Sequence, residues 1–363
     1  MRFLISVYTG LGNCILKTPM VRSIRELWPD AAIDIIGGGC FGSEEVLDEE
    51  LIHETHVLDA RSSFIKKAVF FYLLKKRHYD AVFIAFDACP LFLVLGALLI
   101  GGKTFMHIDA RVNRSLKRKI KNFLYSVGLP GFQRVSVKPG RHEIDLNYDL
   151  LEAFYGKPIE RSYKTSISCR EDSGVFDRFG LKDQPYIVFQ PSAANGGPQA
   201  KVWAPENFVQ LAEEIRRQYP GFKIVCVGDQ GDWEVVKSSG LFELEGVMNT
   251  MGQTSIAELC TLIRKARVVV AHDSGIMHIA DALDVDLIAL YGPTDHSRTR
   301  PLGKKSRMVY SRNESFAAMQ DSNVSEAELE KRYPGYYCMS GIRPEDVMAH
   351  INEMMNRKGN LTQ

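Results

Sequence analysis

RVVVAHDSGIMHIADALDVDLIALYGP, residues 267–293, decides the fold. An apolar, β-branched run ends in His272 and Asp273, a helical pattern opens at Ser274, and a second apolar run ends in Gly292 and Pro293. Short apolar runs separated by a helix read as two parallel strands of a sheet covered on both faces. The same alternation extends outward. YIVFQPS (186–192) and FKIVCVG (222–228) read as strands around the amphipathic helix ENFVQLAEEIRRQYP. SIAELCTLIRKA reads as a helix, with Ser255 and Glu258 at the spacing of a capping box. In the first half FLISVYT (3–9), AIDIIGG (32–38), THVLDA (55–60) and YDAVFIAFD (79–87) read as strands, with helices over 16–28 and 64–77. Gly174, Gly180 and Pro185 mark a linker region at 160–184 between two α/β halves. Open parallel sheets bind ligands beyond the carboxyl ends of their strands, so two facing halves would bind ligands in a cleft between them.

Composition narrows the function classes. A chain of 363 residues, 45% hydrophobic and 25% charged, is globular and long enough for two domains. A net charge of +1 argues against a nucleic-acid partner. The seven cysteines form no CxxC pair, so neither a zinc site nor a disulfide framework is expected, in keeping with a reducing compartment. The N-terminus has no signal-peptide pattern. The most apolar stretch, LFLVLGALLIGG (91–102), falls short of the roughly 20 residues that span a bilayer. With the strand before it, it is expected to form a buried strand followed by a buried helix. A soluble, cytoplasmic protein follows.

Five motifs carry candidate chemistry. In HDSGIMH, Asp273, Ser274 and Gly275 occupy a strand-to-helix turn, and His278 lies one turn on. A helix N-terminus with unpaired N–H groups suits a phosphate; a plain cap with a buried histidine accounts for the same residues. QPSAANGGPQAKVW (190–203) is a small-residue loop that, with Lys201, is able to wrap a phosphate or simply to lie on the surface. GLGNC (10–14) follows a strand but has no third glycine, which counts against a dinucleotide fingerprint. Asp284-Val285-Asp286 resembles a metal-binding DxD but sits at the wrong strand end, and reads as a turn. RVNRSLKRKIKNFLY (111–125) is a basic amphipathic stretch, suited either to an anionic membrane surface or to packing on its own domain.

With these segments in view, the chain resembles family 9 glycosyltransferases, the ADP-heptose:lipopolysaccharide heptosyltransferase family. GLGNCILKTPMVRSIREL, RHEIDLNYDLLEAFYG (141–156), KVWAPENFVQLAEEI, HDSGIMH with YGPTD, and YCMSGIRPEDV resemble that family's segments in order. The resemblance implies a GT-B architecture. Its parts would be an acceptor-side Rossmann-like domain at 1–165, a nucleotide-sugar domain at 166–340, and a C-terminal helix and tail at 341–363 crossing back to the first domain. It implies inverting transfer of heptose or a related sugar from a nucleotide donor, ADP-heptose among the candidates, to a glycan or glycolipid acceptor, without metal or cofactor. Ser192, Lys201, Asp273, Ser274, Gly275 and His278 would hold the donor. Gly10, Gly12, Gly292, Pro293, Thr294 and Asp295 would wall the cleft, and peripheral contact with an anionic membrane would run through residues 111–121.

One position departs from the pattern. Well-known heptosyltransferases of that family place an aspartate in the glycine turn as general base, and this chain has Asn13. Asparagine cannot take a proton. Asp87 or Asp109 would then serve as base, Asn13 would only orient the acceptor, or the protein would bind a sugar nucleotide without catalysis. Asp229, Asp232 and Glu234, after the strand at 222–228, would either touch the nucleoside or face solvent.

Overall fold

The computed structural model describes residues 1–39, 46–47, 50–85, 90–108, 131–138, 140–193, 199–319 and 324–359. The chain forms two compact units, Met1–Ser168 and Cys169–Gln363.

The first unit contains strands β1 (Arg2–Ser6), β2 (Ala32–Gly37), β3 (Glu54–Val57), β4 (Ala81–Ile84), β5 (Lys103–Ile108) and β6 (Phe132–Ser136). They form one parallel sheet in the order β3-β2-β1-β4-β5-β6. Successive side chains of a strand leave opposite faces, and β1 makes this visible. Phe3 enters an aromatic layer with Trp28, Phe83 and Phe154, at ring separations of 5.2, 6.0 and 5.3 Å. Leu4 faces the other way and packs with Val82, Ile84 and Met106 beneath Phe71, Leu74, Leu93 and Val94. Those last four come from the helices Phe64–Lys75 and Leu91–Ile100.

The second unit contains β7 (Tyr186–Phe189), β8 (Lys223–Cys226), β9 (Val247–Asn249), β10 (Val269–His272), β11 (Leu287–Tyr291) and β12 (Ser306–Tyr310). Its parallel sheet runs β12-β11-β10-β7-β8-β9. Counted within the unit, that is the doubly wound order of the first sheet. Strand order reverses between β1 and β4 in one sheet and between β7 and β10 in the other, and such switch points open a crevice at the strand carboxyl ends. The helix Pro205–Gln218 buries Phe208, Leu211, Ala212 and Ile215, as its sequence period requires. The C-terminal helix Pro344–Gly359 packs on it and on β11 and β12, adding Val347, Ile351 and Met354 to the core. Two Rossmann-like units are what the GT-B reading expects.

Three details differ from the sequence reading. The helix expected over 16–28 is two, Leu11–Ile15 and Thr18–Leu27, with Pro19 in the first turn of the second. Strands β5, β6, β9 and β12 were not foreseen, because polar residues interrupt their short apolar runs. The helix Leu91–Ile100 is buried on one side only. Leu95 and Leu99 are about half exposed (48% and 50%), because a helix in an outer layer hides only the side that meets the sheet.

Candidate functional site

At the second switch point β7 runs into Gln190 and Ser192, and β10 runs into His272, Asp273 and Ser274. Phe189 and Val270 are register partners, so the two strand ends adjoin. Ser274 is the N-cap of the helix Gly275–Ala282, with extended φ −153° and ψ 179°. Its side chain makes no capping bond. Instead the hydroxyl donates to Gln190 Oε1 at 2.7 Å. The side chain that would normally satisfy a first-turn N–H therefore joins the two strand ends, and those amides are left uncapped by it.

His272 is fully buried, and its Nε2 accepts from the Trp203 backbone N–H at 2.9 Å. Accepting there assigns the ring proton to Nδ1. Burial pushes its pKa down to about 3, so the ring stays neutral. The Trp203 indole N–H donates to Ile342 O at 2.9 Å. The end of the 190–203 loop is thus pinned to β10 and to the segment before the C-terminal helix. Residues 194–198 of that loop lie outside the described residues.

Asp273 accepts from Tyr291 Oη at 3.4 Å and from Thr299 Oγ1 at 3.3 Å. His278, 4% exposed, lies one turn into the helix. Burial lowers its pKa, against the opposing pull of Asp273 and Asp281. A neutral imidazole still offers one N–H donor, and among the described residues this ring makes no hydrogen bond. Gly292 lies close against the chain that follows it. A Cβ there would sit 2.8 Å from Cys338 O and clash with Met339, so only glycine fits. Met319 N–H donates to Pro293 O at 2.8 Å. Asp295 caps the turn His296–Thr299 by accepting from Ser297 N–H at 3.1 Å. Thr294 Oγ1 and Asp295 Oδ2 are buried without a hydrogen-bond partner among the described residues.

At the first switch point, β1 leads into Gly10 and the short helix Leu11–Ile15, which carries the buried Gly12. A Cβ at Gly10 would meet nothing within 4 Å, so this glycine leaves open space. Asn13 Nδ2 donates to Thr9 Oγ1 at 3.0 Å. Asp87, Asp109 and residues 111–121 lie outside the described residues.

The sequence profile of glycosyltransferase family 9 (heptosyltransferase) matches residues 111–328, more than half of the chain. The chain belongs to this family. Lipopolysaccharide heptosyltransferase 2 of Salmonella typhimurium is 32% identical over 198 residues, 53% of each chain. The chain spans about half the length of the curated relatives it matches at this level. Among solved structures, a family 9 glycosyl transferase from Veillonella parvula superposes with TM-score 0.78 at 19% identity, covering 98% of this chain and 97% of that one. Escherichia coli ADP-heptose lps heptosyltransferase II gives 0.74 at 22%, covering 99% and 100%. These two establish likeness of fold.

Several polar groups of this family 9 chain are already engaged. Ser192 is fully buried and its hydroxyl donates to Asp232 Oδ1 at 2.9 Å. Asp232 in turn forms a capping box with Asp229 at the head of the helix Gln230–Val236. Lys201 Nζ pairs with Glu326 Oε1 at 2.6 Å. Glu234 is exposed and pairs with Lys237. The DxD reading as a turn agrees with the geometry. Asp284 has φ 55° and pairs with Lys305 at 2.8 Å, while Asp286, at the amino end of β11, pairs with Arg267 at 2.9 Å.

Two features escaped the sequence reading. Lys17, 1% exposed, places Nζ 3.4 Å from Asn13 O, on the same turn of chain; only its spacing of four from Asn13 hinted at this. Asp34, Glu54 and His56 gather their side-chain oxygens and nitrogen within 4.8 Å. Burial opposes ionisation of Asp34, but hydrogen bonds from His56, Tyr79 and His53 and the charge of Arg2 outweigh it and hold its pKa at about 2. Arg2 pairs with Asp34 at 3.2 Å and Arg77 bonds Glu54 at 2.8 Å, so two cations already balance the two carboxylates.

Proposed function

We propose that this chain is an inverting, metal-independent glycosyltransferase. It moves heptose or a related sugar from a nucleotide donor, with ADP-heptose the first to test, to a hydroxyl of the lipopolysaccharide core or another surface glycan. It works in the cytoplasm, with peripheral contact to the inner face of the plasma membrane. Family membership supports the reaction class, and the names of the relatives support the sugar and acceptor. The observation that carries the site is the committed Ser274 hydroxyl. With it turned to Gln190, the first-turn amides of Gly275–Ala282 are open to a diphosphate. Neutral His278 donates a further hydrogen bond to the leaving group as charge develops there. Asp273 orients the turn through Tyr291 and Thr299. Lys201 reaches a phosphate by exchanging Glu326 for it, at small cost, because a partly exposed pair is worth only about 0–1 kcal/mol. Ser192 supports the site through Asp232, with its proton already spent there. The walls follow from Gly292, Pro293, Thr294 and Asp295 on the donor side and Gly10 and Gly12 on the acceptor side.

On the acceptor side Asn13 orients the attacking hydroxyl through Oδ1, and Asp87 takes the proton. Loss of a general base costs about 100- to 10,000-fold. Nucleoside diphosphate release is therefore measured for Asn13→Ala, Asp87→Asn and His278→Ala. The last should lose about 1.5–3 kcal/mol of transition-state stabilisation. Full activity in Asp87→Asn removes Asp87 as base, an unchanged His278→Ala enzyme removes the leaving-group role, and no turnover of any nucleotide sugar by the parent protein removes the transferase.

A further inference from the structure

The helices Phe64–Lys75 and Leu91–Ile100 pack side by side on one face of the first sheet. A Cβ at Gly96 would fall inside the Phe71 ring, so the two helices touch closely. Their inward side chains fill the core. On the outer side Phe64 and Ile65 are 82% and 74% exposed, followed by Leu73. The second helix presents Leu95, Leu98 and Leu99, spaced to share one side. Single exposed apolar residues are ordinary, whereas a continuous apolar face over two adjoining helices marks an interaction surface.

Charge selects the partner. Neither helix contains an aspartate or glutamate. Lys66, Lys75 and Lys76 are exposed, and none forms an ion pair among the described residues. Arg61 and Arg77 are discounted, because they pair with Asp59 and Glu54. An apolar centre with a cationic margin, and with no acid on either helix, suits an anionic bilayer, where leucine and phenylalanine enter the acyl boundary and lysines meet phosphates; exposed Asp59 lies near Lys66, beside the first helix. It does not suit a second copy, since a two-fold contact sets this basic patch, with no acid on either helix, against itself. Among the described residues no helix is long and apolar enough to cross a membrane, so the helices would lie on it.

We propose that the outer side of these two helices is a docking face for an anionic lipid bilayer. The inference assigns a surface to the membrane contact proposed above, and rests neither on the transferase chemistry nor on residues 111–121. The test is flotation of the full chain with phosphatidylcholine vesicles, with and without phosphatidylglycerol. The parent should float only with the anionic vesicles, and less so as salt rises. The double variant Lys66→Glu/Lys75→Glu should lose more than about tenfold in affinity, since each lysine contributes about fivefold at such a surface. The double variant Ile65→Ser/Leu99→Ser should lose about tenfold at an unchanged melting temperature; if its melting temperature falls, the lysine variant decides. Failure of the parent to float, or floating of all three alike, overturns the proposal. So does a parent dimer that Ile65→Ser/Leu99→Ser turns into monomer, because the face then belongs to a second copy.

Discussion

In the second unit the helix Pro205–Gln218 turns Phe208, Leu211 and Ile215 inward and offers Glu213, Arg216 and Arg217 to the outside. In the first unit the helix Leu91–Ile100 has no charged residue to offer. Both lie over sheets with the same strand order. Parallel pairing and right-handed crossovers fix that order from the inward-facing residues alone. The outer side of each helix is therefore free to differ, and it records the surroundings of the unit rather than its fold. The switch points differ in the same way. At the second, loop, strand end and helix start are joined by side-chain bonds. At the first, Asn13 is bonded within its own turn of chain.

If inward packing alone sets the fold, core substitutions should be severe and outer ones silent. Trp203→Ala removes a fully buried indole and its bond to Ile342 O; a loss of about 3–5 kcal/mol in denaturant unfolding is expected. Gly292→Ala should cost about 1–3 kcal/mol by overpacking against Cys338 and Met339. Acid titration sharpens the contrast between the units. His272 is held at about 3 when folded against 6.5 when free. The unfolded chain thus takes a proton there that the folded chain refuses, and stability falls as pH drops from 6.5 towards 3. His278, also lowered by burial, contributes in the same direction as pH falls below 6.5. Asp34, at about 2 against 3.8, contributes stability that is lost only at lower pH, through that interval. His272→Gln keeps an acceptor for Trp203 and should flatten the slope of stability between pH 6.5 and 4. A parallel slope in the variant would show that His272 is not its source. The smallest effect is expected at Leu98→Ser on the outer face, within about 0.5 kcal/mol, read by the same denaturant curves.

The strands bearing long apolar runs, and both glycine- or serine-headed turns, were legible in the sequence because period and turn chemistry are local. The edge strands β6 and β9 were not. FQRVS and VMN carry too little apolar signal, and the sheet beside them supplies the pairing. The exposure of Leu95 and Leu99 was also hidden, since a sequence that is apolar all round does not reveal which side meets the core. At the site, the helix N-terminus at Ser274 and the neighbouring His278 came from spacing. The commitments of Ser192 to Asp232 and Lys201 to Glu326 did not, because each joins residues distant in sequence.

The tie from Trp203 to Ile342 bears on when the second unit can mature. It joins residues 139 apart, and the core around it includes Val347, Ile351 and Met354 from the C-terminal helix. Contacts of such long separation close late. During synthesis the first unit is complete by Ser168 and can fold as it emerges. The second must wait, with Trp203 and its neighbours uncovered, until the ribosome has delivered the last helix. A truncation that removes that helix therefore leaves a nascent chain half folded, with the exposed half being the one that holds Ser274 and His278.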